Sequence, residues 1–114
     1  MSSPIVLIVE DDADSRDTLR ELLELEGYTV KTAANGQEAL DELDDYKPCV
    51  MLLDLAMPVL DGQAVVDQLR KDGRLGSMNV IIITSSAHKA PAGLKVLEKP
   101  LDLGKLSSEI AAVC

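Results

Sequence analysis

The chain of 114 residues has no phenylalanine, no tryptophan and only two tyrosines. Its core therefore has to be built from Leu, Val, Ile, Met and Ala. Apolar residues still reach 46 %, which at this length supports one domain, residues 1–114, and not two. Cysteine is nearly absent as well. Cys49 and Cys114 are too few for a disulfide framework, and neither stands in a CxxC metal spacing. Cys49 opens an apolar run and reads as a small buried hydrophobe, Cys114 as an exposed residue. The single histidine, His88, excludes a multi-histidine metal site and reads as a solvated loop residue. No apolar run is long enough to span a bilayer, and MSSPIVLIVEDD lacks the charged start of a signal peptide. The expectation is a soluble, cytoplasmic chain without membrane contact. Basic residues are the scarcer charge, 11 against 20 acidic, for a net charge of −9. That balance argues against direct nucleic-acid binding, which needs a positive surface to displace counterions.

What is present is an alternation. Pro4 to Val9 is a continuous apolar run ended by acids, as in a strand buried on both faces. A helical pattern follows, with Leu19, Leu22 and Leu23 on one face, Asp14 as its cap and Gly27 as its stop. Tyr28 to Ala33 alternates and carries a lysine, the pattern of an edge strand. Asn35 and Glu38 form a capping box for a helix turned inward by Ala39, Leu40 and Leu43. Cys49 to Leu53 is another buried strand and ends at Asp54. The stretch AMPVLDG leads from there into a helix with Val65, Val66 and Leu69 inward and Asp61 as its cap. Val80 to Thr84 and Leu94 to Leu97 supply two more strands. Asp102 caps a last helix with Leu103, Leu106, Ile110 and Val113 inward. Strands separated by single helices predict βαβ units and a parallel α/β sheet. Between Thr84 and Leu94 only SSAHKAPAG intervenes, too short for a helix of ordinary length with its connections. One helical turn at most is expected there.

In open parallel sheets ligands bind beyond the carboxyl ends of the strands. Those ends carry Glu10, Asp11 and Asp12 after the first strand, Asp54 after the third, Thr84 after the fourth and Lys99 after the fifth. Clustered carboxylates repel by about 4 kcal/mol per pair at 4 Å and an effective dielectric of 20. Protonation or a cation relieves that repulsion. Hard oxygen donors without His or Cys favour Mg²⁺. A carboxylate beside Mg²⁺, a lysine and a hydroxyl suits nucleophilic attack on phosphorus, giving an aspartyl phosphate. Asp12 also suits a helix N-terminus.

VLIVEDD, MLLDLAMPVLDG, IIITS and EKPLD, in this order at the strand ends, resemble the receiver domains of two-component response regulators. The resemblance spans nearly the whole chain. It implies a flavodoxin-like, doubly wound, five-stranded parallel sheet of order 2-1-3-4-5, whose fourth helix is here reduced or missing. It implies Asp54 as phosphoacceptor, and Mg²⁺ held by Asp11, Asp54 and the carbonyl of Ala56, with Glu10 acting through water. It further implies Lys99 pairing with the phosphoryl group ahead of a cis peptide at Pro100, and Thr84 as the hydroxyl that turns towards it. Ser85 leaves room for the donor, a histidine kinase or phosphotransfer protein. The output is a downstream protein or a parent hybrid kinase. Such a domain is no enzyme beyond its own phosphorylation and dephosphorylation.

The chain departs from the family where an aromatic residue usually precedes the lysine by three: that residue is Val96. With the fourth helix also shortened, the reading surface moves to the loop after Asp54, to Ser85–Gly93 or to the first helix. Two other classes of function compete, an interaction module and an enzyme or cofactor protein on the same fold. A receiver-like interaction module that is not phosphorylated would usually have lost part of the set Glu10, Asp11, Asp54, Thr84 and Lys99. A flavin-binding protein would need a Ser/Thr/Gly-rich phosphate loop where EDDADS stands, and an aspartyl phosphatase a second acid at Ala56.

Overall fold

The computed structural model describes residues 4–114. Strands β1 (Ile5–Val9), β2 (Thr29–Ala33), β3 (Val50–Asp54), β4 (Val80–Thr84) and β5 (Lys95–Glu98) form one sheet of order β2-β1-β3-β4-β5, every pair parallel. Helices α1 (Ala13–Leu25), α2 (Gly36–Leu43), α3 (Gly62–Lys71) and α4 (Leu103–Val113) connect or follow them. Each strand starts or ends within about one residue of the reading above. The order 2-1-3-4-5 and the doubly wound, flavodoxin-like architecture are as expected.

The continuous apolar runs are explained by two cores, one on each side of the sheet. Alternate strand residues such as Val6, Ile8, Leu52 and Ile83 pack against Leu19 and Leu23 of α1 and Leu106 and Ile110 of α4. Their neighbours Leu7, Val9, Leu53 and Ile82 pack against Ala39 and Leu43 of α2 and Val65, Val66 and Leu69 of α3. β1, β3 and β4 have no solvated face, so their sequences cannot alternate.

Between β4 and β5 there is only a 3₁₀ turn, Ala87–Lys89. The short SSAHKAPAG interval thus behaves as its length requires. On that side Leu94 and Val96 remain only partly buried. A second 3₁₀ turn, Leu75–Ser77, falls before β4, where no element was expected.

Three readings are corrected. Asp12, not Asp14, caps α1: its Oδ2 accepts the N–H of Ser15 at 2.9 Å and the Ser15 hydroxyl at 2.6 Å. The helix begins at Ala13, so Asp14 lies inside the first turn. Leu103 and Val113 of α4 do not face inward and are 41 % and 43 % exposed. Leu106 and Ile110, four residues apart, carry the burial of the helix. Finally, Cys49 and Cys114 are not independent residues but form a disulfide, their Cα atoms 5.8 Å apart and 65 positions apart in sequence. Cys49 lies at the entrance of β3 and Cys114 at the end of α4, an approach that only the packed α4 creates.

The other caps follow the sequence. Asn35 Oδ1 accepts the N–H of Glu38 (2.9 Å), and Glu38 reaches back to the N–H of Ala34 (3.2 Å). Asp61 caps α3 through Ala64 (2.8 Å), and Asp102 caps α4 through Lys105 (3.0 Å). No helix among the described residues is long and apolar enough to cross a membrane.

Candidate functional site

Parallel strands deliver their carboxyl ends to one rim, and the register decides what meets there. Val9 pairs with Leu53 across β1 and β3, Asp54 with Ile83 across β3 and β4, and Thr84 with Glu98 across β4 and β5. Glu10, the residue after β1, therefore comes level with Asp54, and Lys99 stands one position beyond the Thr84–Glu98 pair, from where its long side chain reaches back.

Glu10, Asp54 and Thr84 are the polar or charged residues that are buried among the described ones, at 5 %, 4 % and 5 % exposure. The Glu10 N–H donates to Ala33 O at 3.1 Å, which seats the acidic turn on the end of β2. The Asp54 carboxylate is held on both sides. Its Oδ1 accepts the N–H of Ala56 (3.2 Å), and its Oδ2 accepts from Lys99 Nζ (3.2 Å). The same ammonium lies 3.6 Å from Glu10 Oε1. Lys99 is fixed from below by its N–H donating to Thr84 O (2.9 Å) and is followed by a cis peptide to Pro100. The Thr84 hydroxyl accepts the N–H of Ser86 at 2.9 Å.

One oxygen each from Glu10, Asp11 and Asp54 lies within 4.8 Å of the others. Asp11 is exposed, so this triad opens to solvent on one side. These hard donors, two of them buried and with one ammonium to share, fit a small divalent cation such as Mg²⁺. Ala56 lines the same cavity of about 540 Å³, together with Asp12, Asp61, Gln63, Ser85, Ser86 and Lys89. All of the residues singled out from the sequence, Glu10, Asp11, Asp54, Ala56, Thr84 and Lys99, meet there. Asp12 and Asp61 reach its wall while capping α1 and α3.

Electrostatics follow from burial and crowding. Burial pushes the Glu10 carboxyl up to about 8, helped by the neighbouring Asp54 and opposed by Lys99. Burial works against the Lys99 ammonium, but the carboxylates of Asp54 and Glu10 outweigh it and hold Lys99 above its ordinary range. The Ser15 hydroxyl and N–H on Asp12 hold that carboxyl below its usual value.

Sequence reasoning passed over Arg16. Its Nη1 donates to the carbonyl of Glu10 at 2.8 Å and reaches that of Asp11 at 3.5 Å, clamping the acidic turn from the first turn of α1. The signal was a lone guanidinium in EDDADSRD. Lys89 was also missed, because its place on the cavity wall depends on the 3₁₀ turn.

Comparison with known proteins agrees with this geometry. The family model for the response regulator receiver domain matches residues 6–111. The transcriptional regulatory protein PrrA of Mycobacterium leprae is 38 % identical over 118 aligned positions, which take in 99 % of this chain and 51 % of PrrA. The chain thus spans about half the length of the curated relatives it matches. Among solved structures, the receiver domain of the Francisella response regulator 1452 superposes with a TM-score of 0.87 at 26 % identity, over 96 % of this chain and 95 % of that one. The response regulator TrrA of Thermotoga maritima, in complex with Mg(2+)-BeF, gives 0.86 at 26 % identity, over 97 % and 99 %.

Proposed function

The chain belongs to the response regulator receiver domains, and from that membership we propose that Asp54 accepts a phosphoryl group from the phosphohistidine of a histidine kinase or phosphotransfer protein. The observation that carries this reading is the hold on Asp54. A buried carboxylate is oriented by the Ala56 N–H and Lys99, with one oxygen within 4.8 Å of oxygens of Glu10 and Asp11.

In the transfer the P–N bond of the donor imidazole breaks as a P–O bond forms to an Asp54 carboxylate oxygen. The imidazole nitrogen keeps the electron pair and takes up a proton. Glu10, Asp11, Asp54 and the carbonyl of Ala56 would hold Mg²⁺, which supplies positive charge for the phosphoryl oxygens. The TrrA structure with Mg(2+)-BeF supports this choice of ion. Lys99 exchanges part of its contact with Asp54 for the phosphoryl oxygens, a charge-assisted pairing. Thr84 donates its hydroxyl to them and, in turning towards them, gives up the Ser86 N–H. Ser85 is small and exposed and admits the donor. The domain turns over no external substrate; it promotes its own phosphorylation and dephosphorylation in the cytoplasm.

The response is read near the site. Ser86 O accepts the Lys89 N–H at 2.9 Å, so a turn of Thr84 loosens the Ala87–Lys89 turn through Ser86. That route replaces an aromatic relay, which Val96 cannot provide. A downstream protein or a parent hybrid kinase is the reader.

Incubation with acetyl phosphate and Mg²⁺, followed by intact-mass measurement, tests the reading. Wild type gains one phosphoryl group; Asp54→Ala, or wild type with a chelator, gains none. If wild type stays unmodified while a control receiver is labelled, the chain is an interaction module instead. Amide shifts on adding beryllofluoride should concentrate in Ser85–Gly93, the loop after Asp54 and α1.

A further inference from the structure

Cys49 and Cys114 do not belong to the acidic site, and nothing in the chemistry at Asp54 uses them. Their two environments are unequal. Cys49 is half-buried and fixed in the sheet, its N–H donating to Ile5 O at 2.8 Å and its carbonyl accepting from Asn79 Nδ2 at 2.9 Å. Cys114 is exposed, as are Ala111, Ala112 and Val113 before it. Past Ile110, the last buried residue of α4, the helix end is tied down by its own Cys114 N–H to Ile110 O bond (2.9 Å) and by the disulfide. The link thus joins a strand entrance held by two hydrogen bonds to its backbone to the exposed last turn of α4.

We propose that Cys49–Cys114 is a reversible thiol–disulfide modification site that stiffens the last turn of α4 without touching the chemistry at Asp54. Reduction is a two-electron exchange with a thiol reductant such as glutathione. One thiolate attacks the sulfur of Cys114, the exposed residue of the pair, the S–S bond breaks, and Cys49 leaves as a thiolate and is protonated. A second thiol then resolves the mixed disulfide, so two thiols become one oxidised disulfide while the protein gains two thiols. Exposure gives the attacking thiolate access, and in a reducing compartment a disulfide of this kind is transient and regulatory. Cys49 stands five residues from Asp54 along β3, roughly 16 Å at strand rise, so the redox and acidic sites lie at opposite ends of one strand. The link closes a loop of 65 residues, long enough for its loss to be felt in global stability.

The test equilibrates the whole chain in buffers of varied reduced-to-oxidised glutathione ratio. Free thiols are counted by iodoacetamide alkylation and mass spectrometry. Melting temperature, hydrogen exchange and labelling by acetyl phosphate are followed in parallel. Free thiols should rise from none to two across the glutathione range, with a fall in Tm of about 10 °C. Amides that exchange by local opening should quicken at residues 110–114, those that exchange only by global unfolding should quicken in step with the fall in Tm, and acetyl phosphate labelling should stay within twofold. Cys114→Ser should melt like the reduced protein and ignore the buffer. Thiols that stay alkylatable in every oxidising buffer would overturn the pairing. A link that persists in fully reduced glutathione would make it a permanent crosslink. An unchanged Tm would leave it without effect, and labelling that follows the redox state would end its independence from Asp54. A chain that takes no phosphoryl group in either state counts against the phosphoacceptor reading alone, since thiol counts and Tm do not depend on it.

Discussion

Val59 adopts φ +67° in the loop between β3 and α3, a left-handed conformation that a β-branched residue resists by about 1–2 kcal/mol. Its side chain is 81 % exposed, so little apolar burial offsets the strain. Glycine adopts this conformation freely but costs about 0.5–1 kcal/mol in chain entropy. Val59→Gly should therefore leave stability unchanged or raise it by up to about 1 kcal/mol in urea denaturation; a clear loss would mean that Val59 contributes an undetected contact. Arg16 acts at the same scale but on the site. Arg16→Ala removes the donor to the Glu10 and Asp11 carbonyls, and Mg²⁺ affinity by titration should fall several-fold while the melting temperature moves by a few degrees at most. Arg16→Lys should recover only part of it, since an ammonium lacks the guanidinium fork.

Between elements, the loop from Asp54 to α3 is folded against β3 so tightly that a side chain at Gly62 has no room. A Cβ there would stand 2.5 Å from Asp54 O and 2.8 Å from Leu55 Cα, both backbone, and the Gly62 N–H donates to Leu55 O at 3.0 Å. Gly62→Ala should cost about 1–3 kcal/mol and displace Asp54. Gly104, in the first turn of α4, offers the opposite case. Its Cβ would meet only Asp102 Oδ1, at 3.4 Å. Gly104→Ala should stabilise by about 0.5–1 kcal/mol, the helix-propensity difference. Chemical denaturation of the two variants side by side checks both signs. If both destabilised equally, the contact with β3 would not be the cause.

Over the whole molecule, the raised Glu10 carboxyl links folding to pH. A group whose pKa is higher in the folded state than in the unfolded one binds more protons when folded. Its contribution is full below the unfolded value of 4.5 and is lost as pH rises through about 8. Metal-free protein should accordingly lose stability between about pH 5 and 8, with a slope of at most about 1.4 kcal/mol per pH unit. Mg²⁺, which prefers the ionised carboxylate, should bind more tightly across the same window and reverse the loss. Melting curves at several pH values, with Mg²⁺ or with chelator, measure this. In Glu10→Gln the slope should flatten; a slope that persists would assign the proton to another group.

The sequence by itself determined the parallel α/β class, because runs such as VLIV and VIIIT are continuous only when both sheet faces are covered. It also named the residues at the strand ends and three of the four helix caps, since cap chemistry is local. It showed the missing helix between β4 and β5 by simple lack of length. What lay beyond it were contacts between distant segments. The clamp of Arg16 on two carbonyls and the Cys49–Cys114 link have no period or spacing along the chain. Register and helix packing fix them. The inward stripe of α4 failed at Leu103 and Val113 for the same reason: periodicity gives a helix its apolar face, but only tertiary packing decides how many turns of that face are covered.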